Sequence, residues 1–333
     1  MNSKVSVTEL FSREEIKELT TGSDLHGAWA VGSTWAVIVM TFGTVAYSWE
    51  YLPVWGKILM CALALAILAG RQLAMAILMH DASHHSLFKT KWLNTHLTDW
   101  LCARPIWNEV SKYRPYHLKH HAKTSQPDDP DLGLVKNFPI TRGSLLRKFF
   151  RDLNGQSGLK FLAGRILMDL ELLEWSVSND PQPIPRGNRS KVDLAKNLLK
   201  NSSGMLLANA TIFSALWVSG HPRLYLLWPL AYITPFPLFI RIRAMAEHAG
   251  LQTSHSALSN TRTTRAGYLA RAFVAPIHVN YHIEHHLMAS VPHQNLPKMH
   301  RMLRERNYVD APPSYLDVIR SLLKKQLSPA MLR

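Results

Sequence analysis

The feature that most constrains this chain is a set of long apolar stretches that carry almost no charge. Residues 25–49 contain no Asp, Glu, Lys or Arg, and residues 52–79 contain only Lys57 and Arg71. A helix needs about 20 apolar residues to cross a bilayer. Both stretches therefore predict membrane-spanning helices.

Two shorter apolar stretches, 203–219 and 224–240, flank the loop 220–223 and predict a second helical hairpin. We expect an all-α integral membrane protein with about four transmembrane helices in two hairpins. Three crossings, or one stretch lying in the interface, is the alternative. A charge inside a span is costly unless it faces protein or reaches the interface, so Arg71 needs a partner.

The distribution of positive charge predicts the orientation of these spans. The chain has a net charge of +15, and its long segment from residue 89 to residue 200 is basic. Because positively charged loops stay in the cytoplasm, we expect both termini there, together with a helical cap. The predicted divisions are a cytoplasmic segment 1–24, a membrane domain 25–305 and a cytoplasmic tail 306–333. Residues 92–107 are aromatic and amphipathic, which favours an interfacial helix.

Histidines, of which there are 17, form three groups at helical spacing. The groups read HDASHH from residue 80, HLKHH from residue 117 and HIEHH from residue 282. Residues three or four positions apart share one face of a helix. A lone histidine is usually structural, but three such groups on one side of a membrane predict a shared metal site.

The number of imidazoles indicates more than one metal ion. Imidazole suits zinc, copper, iron and nickel, but a tetrahedral zinc ion takes four ligands. Eight or more imidazoles are enough for two ions with open positions left over. Neutral imidazoles do not cancel the metal charge, so Asp81, Glu247 and Glu284 are candidate outer partners, or else ordinary surface carboxylates.

The order HxxxHH, HxxHH, HxxHH, interleaved with paired spans, resembles the membrane fatty acid desaturase superfamily. The likeness covers roughly residues 25–305, and it includes YRPYHLKHHAKTSQPDDPD at 113–131, RIRAMAEHAG at 241–250 and VPHQNLPKMH at 291–300. The resemblance implies two non-haem iron ions as cofactors and O2 as co-substrate. Its bacterial branch implies the bacterial inner membrane as the location.

The resemblance also implies the ligands: His80, His84, His85, His117, His120, His121, His248, His282, His285 and His286. His248, in AEHAG, matches the additional ligand that the family has after its last span. His85 has the alternative of a structural role, because the family often ligates through two residues of its first box. We interpret His278 as a non-ligand, since the third box is complete without it.

The expected function is desaturation of a fatty-acyl or lipid substrate. A hydroxylase or ketolase of a lipid, a carotenoid or a small molecule is the alternative within the same fold. A histidine-rich metal transporter is a third hypothesis, and it is disfavoured because transporters place ionisable residues at the bilayer midplane. Here the histidine groups lie at the ends of spans and beyond.

Electrons for such a reaction must come from a partner. The sequence has no His-Pro-Gly-Gly motif and only two cysteines, so it contains no fused haem or iron–sulfur donor pattern. We expect a ferredoxin-like or other reductase donor, which the basic face would attract; alternatively, that charge only sets topology and contacts anionic lipid. No nucleic-acid-binding pattern accompanies the charge, and no disulfide framework is expected.

Overall fold

The computed structural model of the protein describes residues 5–178 and 180–324. Regular secondary structure within these residues is helical, as predicted, apart from three isolated β-bridges. The α-helices are α1 Val7–Leu10, α2 Arg13–Leu19, α3 Asp24–Ser48, α4 Val54–Ser83, α5 Val110–Lys123, α6 Leu132–Val135, α7 Arg142–Leu153, α8 Gln156–Asp169, α9 Lys191–Val218, α10 Leu227–Ile233, α11 Pro235–His248, α12 Ala257–Asn260, α13 Tyr268–Phe273, α14 His282–Leu287, α15 Leu296–Glu305 and α16 Tyr315–Ser321.

Three stretches of the described chain are long and apolar enough to cross a membrane: Arg13–Ser48, Val54–Ser83 and Pro222–His248. They contain the predicted spans 25–49, 52–79 and 224–240, with differences of a few residues at the ends. An integral membrane protein is therefore the architecture that these helices support, as predicted.

The predicted fourth span, 203–219, is not among these three stretches. It forms the second half of α9, a helix that begins in the polar segment at Lys191. Asn209 lies inside this half and Asn201 lies just before it. The count of four spans in two hairpins is not confirmed.

Helix α4 lies at the centre of the fold and contacts α3, α5, α10, α11 and α13. Its second half, from Leu68 to Ser83, is almost entirely buried, whereas Trp55 near its start is 80% exposed. Arg71 donates from Nη2 to the Ala272 carbonyl oxygen at 2.7 Å, which supplies the protein partner that the sequence required. Helix α4 therefore begins at an exposed apolar end and ends in the protein interior, where it places the first histidine group.

The predicted interfacial helix over residues 92–107 is divided into short segments of other helix types. Two π-helical segments and a 3-10 turn replace a regular α-helix: Leu93–Leu97, Asp99–Ala103 and Arg104–Ile106. The Thr98 hydroxyl donates to the Leu93 carbonyl, five residues earlier, at 3.1 Å. That spacing suits a π-helical turn, whose bonds also span five residues.

Both ends of the described chain pack onto the central domain. Leu10 and Leu19 are buried with Met299 and Leu303 of α15. The predicted divisions at residues 24 and 305 stay predictions. The ends of the predicted terminal segments, 1–4 and 325–333, lie outside the described residues.

Candidate metal centre

The first group of histidines combines three helices that are distant in sequence. Helix α4 and the residue after it supply His80 and His84, α5 supplies His117 and His121, and α14 supplies His285. One side-chain nitrogen from each of the five lies within 4.8 Å of the others. Five imidazoles therefore converge on one small volume.

The second group contains four histidines that meet the same distance limit. His120 comes from α5, His248 is the last residue of α11, and His282 and His286 lie one turn apart on α14. The two groups are neighbours, since the rings of His121 and His286 stack with centroids 4.1 Å apart. The protein thus forms two adjacent sets of metal-ligand type.

The spacing HxxHH explains why α5 and α14 each contribute to both groups. In α5, His117 and His121 are four residues apart and face the first group, while His120 points to the second. In α14 the pattern is reversed, because His282 and His286 face the second group. Adjacent residues on a helix diverge by about 100°, so a doubled histidine can serve two sites.

Ring nitrogens of the two histidine groups lie close together, and several of them lack a hydrogen-bond partner. A metal ion bound between them would satisfy these nitrogens. The Nε2 atoms of His121 and His117 are 3.0 Å apart, as are those of His285 and His121. The Nε2 atoms of His282 and His248 are 2.8 Å apart. Among the nine histidines of the two groups, five buried ring nitrogens have no hydrogen-bond partner within the described residues: His80 Nε2, His84 Nε2, His117 Nδ1, His282 Nδ1 and His286 Nε2.

Burial keeps most of these histidines neutral, which is the form that binds a metal. Burial, with a smaller effect of neighbouring histidines, lowers the pKa of His117 and His285 well below the usual value. Burial also lowers the pKa of His84 to about 4. The pKa of His120 is raised, because nearby Asp131 and Asp129 outweigh its burial.

Carboxylates orient two of the rings from behind. Asp81 accepts from His80 Nδ1 at 2.9 Å, as the sequence suggested, and Asp129 accepts from His120 Nδ1 at 2.8 Å. A ligating histidine usually gives its second ring nitrogen to such a partner. Asp129 was not among the predicted partners, although the acidic run at 128–131 follows the second box and was a usable signal.

The other two candidate carboxylates make their hydrogen bonds to groups outside the histidine sets. Glu284 accepts from His300 Nδ1 at 2.7 Å and from the Thr263 hydroxyl at 2.5 Å. Glu247 accepts from Arg243 at 2.8 Å and lies 3.7 Å from His282 Nε2. Glu284 therefore makes its hydrogen bonds to residues that are not in either histidine group, and Glu247 lies next to the second group.

His85 and His278 lie outside both groups. His85 is exposed and has a left-handed φ of 58°, so the chain turns away from the site directly after His84. His278 contacts the His293 carbonyl oxygen through Nδ1 at 3.1 Å. Nine of the ten histidines that the sequence nominated come together, and His85 does not.

A cavity of about 180 Å³ borders the centre. His117, His120, His248 and His282 form one part of its wall. Apolar side chains of α4, α8 and α11 form another part: Leu73, Ala76, Met79, Phe161, Phe236 and Ile240. The cavity therefore gives an apolar group access to the histidines.

The sequence profile of the family "Fatty acid desaturase" matches residues 53–317. A dihydrorhizobitoxine desaturase from Bradyrhizobium elkanii is 25% identical over 305 residues, which cover 88% of this chain and 80% of that protein. An sn-1 oleoyl-lipid 12-desaturase from Synechocystis sp. is 24% identical over 287 residues, or 81% and 76% of the two chains. Fatty acid desaturase 3 of Homo sapiens is 25% identical over 289 residues, or 79% and 61%. The chain belongs to the fatty acid desaturase family.

Proposed function

We propose that this protein is an O2-dependent membrane desaturase that uses two iron ions to introduce a double bond into a fatty-acyl or lipid substrate. The observation that carries the proposal is the convergence of nine histidines in two adjacent groups beside an apolar cavity. Membership in the fatty acid desaturase family supports the same reaction and the same metal.

The proposed ligands follow the two groups. One iron would be held by the five histidines His80, His84, His117, His121 and His285, and the other by the four histidines His120, His248, His282 and His286. His85 is left out of this assignment because it is exposed and outside both groups. All-imidazole ligation fits iron, since imidazole is among its common ligands.

Bound iron supplies the oxidising power for breaking an unactivated C–H bond, which side chains lack. Two hydrogens leave adjacent methylenes, and O2 takes up these, two protons and two donor electrons to give two waters. The protein holds the substrate methylenes beside the histidines. Leu73, Met79 and Phe236 form apolar walls that exclude water from this region.

The relatives favour desaturation over the hydroxylase and ketolase alternatives. All three are named desaturases, and two of the names specify a fatty-acid or acyl-lipid substrate. The third, dihydrorhizobitoxine desaturase, is named for a different compound. We infer an acyl or acyl-like substrate for this chain.

The proposed topology has four spans in a bacterial inner membrane. Both termini and the metal centre lie on its cytoplasmic side. The second half of α9 would be the fourth span. Its exposed apolar side chains support this assignment, since Leu207 is 58% exposed, Trp217 63% and Val218 87%. Such side chains are suited to contact with lipid. A ferredoxin-like or other external reductase would supply electrons to the basic cytoplasmic face.

The test is metal content together with product formation. Protein purified from iron-supplemented cells should contain about two irons per chain, measured by mass spectrometry. Membranes that contain it, supplied with O2 and a reductase, should produce lipid lighter by two hydrogens. His120→Ala should reduce the iron content and abolish the product.

His96→Ala is the matched control, because His96 is exposed and belongs to neither group. It should keep both the iron and the product. Iron content near zero in the wild-type protein, or a product that gains oxygen and keeps its hydrogens, would contradict the proposed function.

A further inference from the structure

Arg165 of α8 is a charged side chain in the interior of the protein. Its side chain lines the cavity beside the histidines, and the residue is 1% exposed. The guanidinium carbon lies 5.0 Å from the centroid of the Phe161 ring and 5.1 Å from that of Trp175. Its Nη2 donates to the Asn108 side-chain oxygen at 2.7 Å. Two aromatic rings and one amide therefore hold the group in place.

The other cavity-lining arginines have carboxylate partners. Arg241 binds both oxygens of Asp152, at 2.5 and 2.8 Å, and Arg243 binds Glu247 at 2.8 Å. These pairs neutralise the charges of both arginines within the protein.

The cavity-lining acids near the centre are also occupied. Asp129 accepts from His120 at 2.8 Å, and Asp131 accepts from the Tyr116 hydroxyl at 2.5 Å. Both carboxylates therefore make these hydrogen bonds to groups other than Arg165.

Arg165 lacks such a partner among the described residues. No carboxylate of residues 5–178 or 180–324 lies within ion-pair distance of it, and its buried Nε–H has no hydrogen-bond acceptor. The nearby Asp169 accepts from the Trp107 indole at 2.8 Å instead. Asp169 therefore acts on Arg165 only from beyond ion-pair distance. An anion in direct contact with the guanidinium would supply the close pairing that a buried charge requires.

We propose that Arg165 binds an anionic oxygen group of the substrate, a carboxylate or a phosphate. The proposal rests on the proposed function, because it identifies the polar end of the molecule that the centre oxidises. A planar guanidinium presents paired N–H donors that match carboxylate and phosphate oxygens. The substrate class is an amphiphile whose anionic group and reacting carbon lie in the same cavity.

Ring contacts connect this anion site to the metal centre. The Tyr113 ring stacks on His117 at 5.0 Å, and Trp175 meets Tyr113 at 6.2 Å and Arg165 at 5.1 Å. Arg165 is therefore separated from the nearest histidine ring by two aromatic side chains. Arg165 and His117 both line the cavity, so a chain attached to an anion at Arg165 would lie in the cavity that the histidines border.

Calorimetry on the iron-loaded protein in phosphatidylcholine nanodiscs tests the proposal, with octanoate, octyl phosphate and neutral octanamide as probes. Empty nanodiscs provide the correction for partition into lipid. We expect octanoate or octyl phosphate to bind at least about tenfold more tightly than octanamide, since hydrogen bonds to charged groups contribute strongly. The tighter of the two anions identifies the carboxylate or phosphate class. Competition by phosphatidylglycerol in the nanodisc would identify a lipid headgroup as its source.

Arg165→Gln should remove the preference for the anion, and Lys160→Gln should keep it. Lys160 is an exposed cation on the same helix and is the matched control. Asn108→Asp is a second variant that keeps the guanidinium and gives it an internal carboxylate, so it too should weaken anion binding. An unchanged melting temperature verifies that each variant folds.

Equal binding of octanoate, octyl phosphate and octanamide by the wild type, or no binding of any probe, would overturn the proposal. So would a preference that survives in both Arg165→Gln and Asn108→Asp. The proposed function fails separately, through missing iron or missing double bonds, because probe binding uses neither readout.

Discussion

Replacing Asp129 with asparagine is expected to weaken one of the two proposed iron sites and spare the other. The carboxylate accepts from His120 Nδ1 at 2.8 Å and from the backbone N–H groups of Ser125 and Asp131 at 2.9 Å each. Its side chain is 4% exposed. This contact leaves Nε2 as the His120 nitrogen that is free for the second group.

The size of the effect follows from these contacts. Asparagine keeps the volume but loses the charge. With the amide nitrogen in the place of Oδ2, the Ser125 N–H loses its acceptor and His120 keeps only a neutral one; with the nitrogen in the place of Oδ1, His120 and the Asp131 N–H lose their acceptor. Loss of an outer partner of a ligating histidine lowers metal affinity about 10–100-fold, or about 1.4–2.8 kcal/mol. The loss of affinity should affect the second group, because His120 belongs to that group and not to the first.

The assay is retention of iron during dialysis against increasing chelator concentrations, with iron per chain measured by mass spectrometry. Asp129→Asn should release one iron at about 10–100-fold lower chelator concentration than the wild type. It should release the other iron at the same chelator concentration as the wild type. Asp128→Asn, an exposed neighbour in the same acidic run, is the control and should match the wild type. Equal retention in both variants, or parallel loss of both irons from Asp129→Asn, would refute the reasoning.

Three further predictions concern stability, measured as unfolding in detergent. Gly158→Ala should lower the melting temperature, because its Cβ would lie 2.2 Å from the Ile233 carbonyl oxygen; Gly164→Ala, in open space on the same helix, should not. Asp152→Ala should cost about 3–5 kcal/mol by leaving Arg241 without its buried partner, and Arg241→Leu in the same chain should recover part of this loss. Removal of iron should lower the melting temperature reversibly, by an amount that corresponds to about 2.7 kcal/mol where iron exceeds its dissociation constant 100-fold; a melting temperature unaffected by iron would contradict a bound metal.

Sequence patterns were sufficient for the helical membrane architecture and for most residues of the centre. The absence of charge over 25–49, and its near absence over 52–79, predicted two of the three long apolar helices. The stretch 203–219 was harder to interpret, because it is the apolar half of a helix that begins at the polar Lys191. A hydropathy pattern does not show where such a helix leaves the membrane surface.

Helical spacing predicted that histidines share faces, but not how they divide between two groups. His117 and His120 are close in sequence, yet they belong to different groups because they point in different directions from α5. His85 follows His84 directly and lies outside the centre, because the backbone turns to a positive φ at that residue. A sequence pattern cannot show that turn.

The sequence by itself determined which chemistry the chain could support, because imidazoles at one-turn spacing and long apolar stretches are local properties. Only the tertiary structure decided the pairing of Asp129 with His120, and the place of Arg165 at a cavity beside the histidines. Those contacts join residues from different helices, and their distances depend on how the helices pack. Packing distances of this kind are not encoded in any single segment of the chain.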